Sequence, residues 1–207
     1  MNALRPHAAF GRQGFSPIRG GPCFFHTCAR VVLIVLLLPG FLFAQQPRPL
    51  DYEVKATYLF NFGRFTTWPQ AAAPAESNLF SICVLGRDPF GPALDATLAG
   101  ETIAGRRVVA RRIARSADAA GCRILFVGDS EEGQLQATLD AVGGASILTV
   151  SDLPRFAARG GMIQFVSEGN RIRFEVNLTA AERSNLMLSS ELLKVATAVR
   201  RSGRPGA

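Results

Sequence analysis

Three short apolar runs, Leu79 to Leu85, Arg123 to Val127 and Ser146 to Val150, constrain this chain most, because each has the length of a buried strand and two helical stretches separate them. Leu79 to Leu85 ends at Gly86, and Asp88 followed by Pro89 reads as a helix cap with proline in the first turn of a helix reaching about Leu98. After the second run, Gly128, Asp129 and Ser130 lead into a helix ending near Val142. Strands that alternate with helices require crossovers, and crossovers make parallel sheets covered on both faces. The expectation is one α/β domain over residues 53–201, three-layered and Rossmann-like or flavodoxin-like, with the strand order open.

The segments flanking this unit have other patterns. Val54, Tyr58, Phe62, Phe65 and Trp68 recur at spacings of four, four, three and three, which predicts an aromatic helix face ended by Pro69. That face either packs on the core or leaves Phe65 and Trp68 in a docking surface. Ala71 to Ala75 reads as an Ala/Pro linker. Arg106 to Ile113 carries four arginines among its apolar residues and suits a strand at a sheet edge, where charge discourages association. Met162 to Ser167 and Arg171 to Val176 read as a hairpin turning at Gly169 and Asn170. On its second arm Ile172, Phe174 and Val176 face one way, and Arg171, Arg173 and Glu175 face water or a partner. A last helix is expected from a cap at Ser189 or Ser190 to about Val199, followed by a flexible tail over 202–207.

Residues 1–44 carry Arg5, Arg12, Arg19 and Arg30 with no acid, then an apolar run from Val31 to Phe43, the layout of a secretory signal cleaved near Ala44. Val31 to Phe43 is too short for a membrane span, which needs about 20 residues. An extended tether, 45–52, follows. The whole chain has 23 basic and 16 acidic residues, a net +7, whereas residues 45–207 have 19 and 16, a net +3. His7 and His26 fall in the leader, so the remaining 163 residues hold no imidazole for a Ser-His-Asp triad, a Cys-His dyad or a His-ligated zinc site. Cys83 and Cys122 are the two thiols left; export favours a disulfide between them, and two separate buried thiols are the alternative.

Other functions lose support on inspection. Gly86 to Gly91 lacks the middle glycine of a dinucleotide fingerprint, and no GKS or GKT triplet occurs. Arg106, Arg107, Arg111, Arg112, Arg115 and Arg123 could contact a nucleic acid, but a solvated strand edge suits an exported domain of net +3 better. Asp88, Asp129 and Asp152 could gather at strand ends as paired carboxylates for a histidine-free hydrolase, although Asp88 and Asp129 are equally placed to cap helices. No cofactor is implied.

Lys55 to Pro69 (KATYLFNFGRFTTWP), Cys122 to Asp129 (CRILFVGD) and Gly160 to Asn177 (GGMIQFVSEGNRIRFEVN), followed by Ser189, Ser190 and Leu192, together resemble the YfiR family of small periplasmic proteins. The resemblance implies a periplasmic, non-enzymatic regulator that binds and inhibits the periplasmic part of a membrane diguanylate cyclase, repressing cyclic-di-GMP output and biofilm formation. It also implies response to an outer-membrane lipoprotein and to envelope redox state, and association as dimers. Cys83 and Cys122 resemble a cysteine pair of that family in placement, which carries over a disulfide; the second pair of some members has no counterpart. A small-ligand sensor working with a sensor kinase or another receptor is the alternative function.

Overall fold

The structure, a computed structural model, describes residues 49–69 and 78–201; the expected leader 1–44, the start of the tether, the Ala/Pro linker and the tail 202–207 lie outside the described residues. Each of the three apolar runs forms a fully or largely buried strand, and the strands align in parallel. In chain order the elements are α1 (Pro49–Arg64), β1 (Thr66–Thr67), β2 (Leu79–Leu85), α2 (Pro92–Leu98), β3 (Thr102–Ile103), β4 (Arg106–Ile113) and β5 (Cys122–Val127). A 3-10 turn (Asp129–Gln134), α3 (Leu135–Val142), β6 (Leu148–Ser151), β7 (Ile163–Glu168), β8 (Arg171–Asn177) and α4 (Leu178–Arg183) follow. The last are β9 (Met187–Leu188), α5 (Ser190–Val195) and β10 (Ala198–Arg200).

Eight strands form one sheet in the order β10-β8-β7-β6-β5-β2-β4-β3, and β1 pairs with β9 in a separate antiparallel ribbon. From β4 to β7 all five strands are parallel, and numbered along the chain they run 2-1-3-4-5, the flavodoxin-like doubly wound order. The hairpin β7–β8 is antiparallel with Glu168 opposite Arg171, and its two-residue turn works because Gly169 takes a φ of 60°. Alternation divides the core. Phe80, Ile82, Val84, Ile124 and Phe126 pack on one face beneath α1 and α2, whereas Cys83, Leu85, Leu125 and Val127 pack on the other with Leu135, Leu139 and Val142 of α3. These two cores make the three layers.

Helix α1 departs from the expected tether and aromatic face. It already includes residues 49–52, so the tether is not extended through Tyr52, and it stops at Arg64 instead of reaching Pro69. Its buried side is Lys55, Ala56, Leu59 and Phe62, while Val54 is exposed. The aromatic spacing ran past the helix end: Phe65 occupies a turn, and Thr66 to Thr67 pair with β9. Phe62 is the centre of the packing, with ring centroids 5.7 Å from Phe165 and 5.0 Å from Phe174, so truncating it to Ala would cost about 3–5 kcal/mol.

Three further expectations shift. Helix α2 begins at Pro92 after Gly91, and Asp88 instead closes the preceding turn by accepting the Phe90 N–H at 2.8 Å. Asp129 begins a 3-10 turn without a side-chain capping bond. Ser189 does cap α5, accepting the Leu192 N–H at 3.2 Å, but the helix ends at Val195. Thr197 donates its N–H and hydroxyl to the Phe174 carbonyl, at 2.9 and 3.0 Å, and draws the β-branched tail into strand β10 beside β8. The arginine-rich strand β4 is next to last, shielded at its start by the two residues of β3.

Candidate functional site

In a 2-1-3-4-5 sheet, ligands are expected at the carboxyl ends of the strands where the order reverses, here between β2 and β5. That crevice is closed by its own loops. The Gly128 N–H donates to the Leu85 carbonyl at 3.0 Å, the Arg87 N–H donates to Ser130 Oγ at 2.9 Å, and a Cβ on Gly128 would sit 2.8 Å from the Arg87 carbonyl oxygen. Gly128 is therefore required for the two turns to cross.

The three candidate aspartates do not form one group: Asp129 and Asp152 line a common cleft, whereas Asp88 stands apart. Asp88 is held by Arg112, whose Nε donates to it at 2.8 Å while its terminal nitrogens clasp Asp95 at 2.6 and 2.8 Å. Asp129 makes an exposed 3.4 Å pair with Arg87. Asp152, just beyond β6, belongs to a different cluster: its Oδ2 accepts from Lys55 Nζ at 2.7 Å and from the Tyr52 hydroxyl at 3.1 Å. Lys55 is 5% exposed and its ammonium lies 4.2 Å from the centre of the Tyr52 ring, so the cation is neutralised by the carboxylate and faced by a π surface. Burial first, and Asp152 second through its charge and hydrogen bond, push the Tyr52 phenol well above its ordinary range, which keeps it a proton donor. A cleft of about 360 Å³, lined by these three residues with Asp129, Glu132 and Phe165, opens beside the cluster. Its chemistry suits hydrogen bonding and charge recognition. Among the described residues no group of His, Cys, Asp or Glu is arranged to hold a metal ion.

Sequence reasoning left Lys55 and Tyr52 unassigned. The available signal was a lysine on the same helical stripe as Leu59 and Phe62, where a charge requires a partner.

The residues expected at a partner surface separate. Phe65 is 39% exposed in the turn after α1, and its carbonyl accepts the Ser189 N–H at 2.9 Å. Trp68 is half-buried, packed edge-on against Phe80 at 5.2 Å, so most of its ring covers the core. Arg171 is exposed beside the hairpin turn, Arg173 is half-buried with its Nε unpartnered, and Glu175 accepts from Arg200 at 2.8 Å. Helix α1 crosses the inner face of the hairpin, where the Tyr58 hydroxyl donates to the Ile172 carbonyl at 3.4 Å, and Arg173 and Glu175 lie on the outer face.

Cys83 and Cys122 form a disulfide, with Cα atoms 5.9 Å apart. The alternative of two separate thiols is thereby set aside. The bridge ties β2 to β5 within the buried layer under α3.

The architecture is that of a doubly wound α/β domain whose switch-point crevice is closed and whose parallel strands continue through an antiparallel hairpin to β10 at the sheet edge. Residues 52–197 match the YfiR/HmsC-like family, and the chain belongs to it. Members of this family are periplasmic regulatory proteins connected with diguanylate cyclase signalling. Among the described residues no helix is long and apolar enough to cross a membrane. Among solved structures, the chain is similar to a conserved domain protein from Vibrio cholerae O1 biovar El Tor str. N16961, with 14% identity, a TM-score of 0.46, and 58% of this chain and 54% of that one covered. It is also similar to an ABC domain in complex with L-Trp from Streptococcus pneumoniae, with 11% identity, a TM-score of 0.44, and 58% and 56% covered. The match spans about half the length of each of these solved chains.

Proposed function

We propose that this protein is an exported, non-enzymatic regulator that binds the periplasmic part of a membrane signalling protein, a diguanylate cyclase above a sensor kinase, and holds its output down. Family membership across residues 52–197 carries this reading. The absence of histidine from residues 45–207 supports it, because the usual proton shuttle near neutral pH is missing from that stretch. Phe65 and the outer hairpin residues Arg171, Arg173 and Glu175 are the proposed contact points; Trp68, as a half-buried core cover, contributes by holding the Phe65 turn in place. Dimerisation and release by an outer-membrane lipoprotein belong to the same proposal. The test is capture of a cyclase ectodomain by the oxidised domain, together with cellular cyclic-di-GMP in a deletion strain. Capture with raised cyclic-di-GMP is expected; no capture and an unchanged level would overturn the reading.

A second reading, a periplasmic sensor of a small polar ligand, draws on the cleft beside Lys55, Asp152 and Tyr52. A metabolite that stabilises the native protein but not Asp152→Asn would favour it.

A further inference from the structure

We propose that a second cleft, at the amino ends of β5 and β6, binds a small organic or inorganic oxyanion, a carboxylate or a phosphate, on the guanidinium of Arg123. The cleft lies at the opposite end of the parallel strands from the Lys55–Asp152 cluster, and the proposal does not depend on the regulatory reading. Its volume is about 510 Å³, and Arg123, Gly121, Gly144, Ser146 and Asn185 are among the residues that line it.

Arg123 is 7% exposed, yet among the described residues it forms no salt bridge and no side-chain hydrogen bond. None of its nitrogens is sealed from the cleft, so the guanidinium keeps contact with solvent there while lacking a counter-ion, and proteins normally pair a charge held this close to the interior. The cleft supplies no counter-ion of its own, because none of its lining residues is acidic. Burial, and after it the like charge of Arg106, lower the Arg123 pKa from its ordinary value. An oxyanion would offset both effects, and the planar fork of arginine matches two oxygens of a carboxylate or phosphate. The glycines at 121 and 144 leave the walls without side chains, giving a ligand close access to the backbone.

The local backbone is irregular at Arg123. β5 has one residue more than β2 at this point, since Ser81 pairs with Cys122 and Ile82 with Ile124. Arg123 is the unpaired residue of that bulge, and bulges re-aim side chains at the ends of strands.

The test is thermal unfolding of the oxidised protein with inorganic phosphate, with succinate, and with sodium chloride at matched ionic strength. Wild type should melt roughly 5 °C higher near saturation with phosphate or succinate than with chloride, and Arg123→Met should lose that rise. Whichever anion gives the larger rise identifies the ligand class. Equal melting in all three salts, or a rise that survives in Arg123→Met, overturns the proposal. Should Arg123→Met fail to fold, Asn185→Asp decides in its place. Residue 185 has a φ of 57°, which Asp tolerates, and its carboxylate at the cleft should abolish the rise; persistence of the rise overturns the proposal.

Discussion

Cys122 lies on the same face of the sheet as Cys83 because Arg123 is an extra residue between the paired positions Ser81–Cys122 and Ile82–Ile124. In a regular strand Cys122 would share a face with Ile124 and Phe126, on the opposite side from Cys83. The bulge thus joins two features of the molecule, a disulfide within the layer under α3 and a buried cation at the strand end.

The bridge closes a loop of 39 residues, and its loss should remove about 4 kcal/mol of stability on the loop-entropy estimate. Cys83→Ala is the suitable variant, since Cys83 is fully buried among apolar side chains and Ser would add an unpaired hydroxyl. It should melt well below wild type under oxidising conditions and close to it in reductant. Equal melting of the wild type with and without reductant would show that the bridge contributes no stability.

The Lys55–Asp152 pair should be a strong contributor in single-variant experiments, because either partner alone would be left as a largely buried charge. Lys55→Met or Asp152→Asn is expected to cost about 3 kcal/mol in urea unfolding. The double variant should cost clearly less than the two singles added together. Costs near those of the exposed Arg115–Asp118 pair would mean that water reaches the cluster.

How much of this was legible in the sequence follows from the range of each interaction. The buried strands β2, β5 and β6 and the hairpin were readable because their signals, an apolar run and a Gly-Asn turn, are local. The end of α1 was not, since Thr66 and Thr67 leave the helix to pair with Leu188 and Met187, more than a hundred residues away. The last helix was overextended for a similar reason: Thr197 finds its acceptor on Phe174. The strand-end cluster depends on a contact between Lys55 and Asp152 across 97 residues, which no spacing rule reaches.

Tyr52 gives the cluster a spectroscopic signature. Its folded pKa is raised by burial and by Asp152, so between the ordinary tyrosine value of about 10 and its own, the unfolded chain loses a proton that the native state keeps. The stability linked to Tyr52 is complete below about pH 10 and is lost as pH rises through the folded value. The tyrosinate absorbance of Tyr52 should appear late, in step with alkaline unfolding, and Asp152→Asn should bring it to lower pH. Tyr52→Phe identifies the signal, as Tyr58 is the other tyrosine of the chain. Early ionisation of Tyr52 in the folded protein would contradict the buried hydrogen bond.

Arg171 tests the regulatory surface most directly, because it is exposed next to the hairpin turn and makes no salt bridge among the described residues. Arg171→Glu should leave thermal stability within about 0.5 kcal/mol of wild type, as surface substitutions usually do. If an acidic patch on a cyclase ectodomain docks on the outer hairpin, the reversal should weaken binding about tenfold or more, mainly through slower association at low salt. Phe65→Ala is the companion variant: losing a partly exposed ring from an interface should accelerate dissociation, with association little changed. Unaltered affinity in both variants, measured by surface-immobilised ectodomain, would move the contact surface away from the hairpin and the α1 turn.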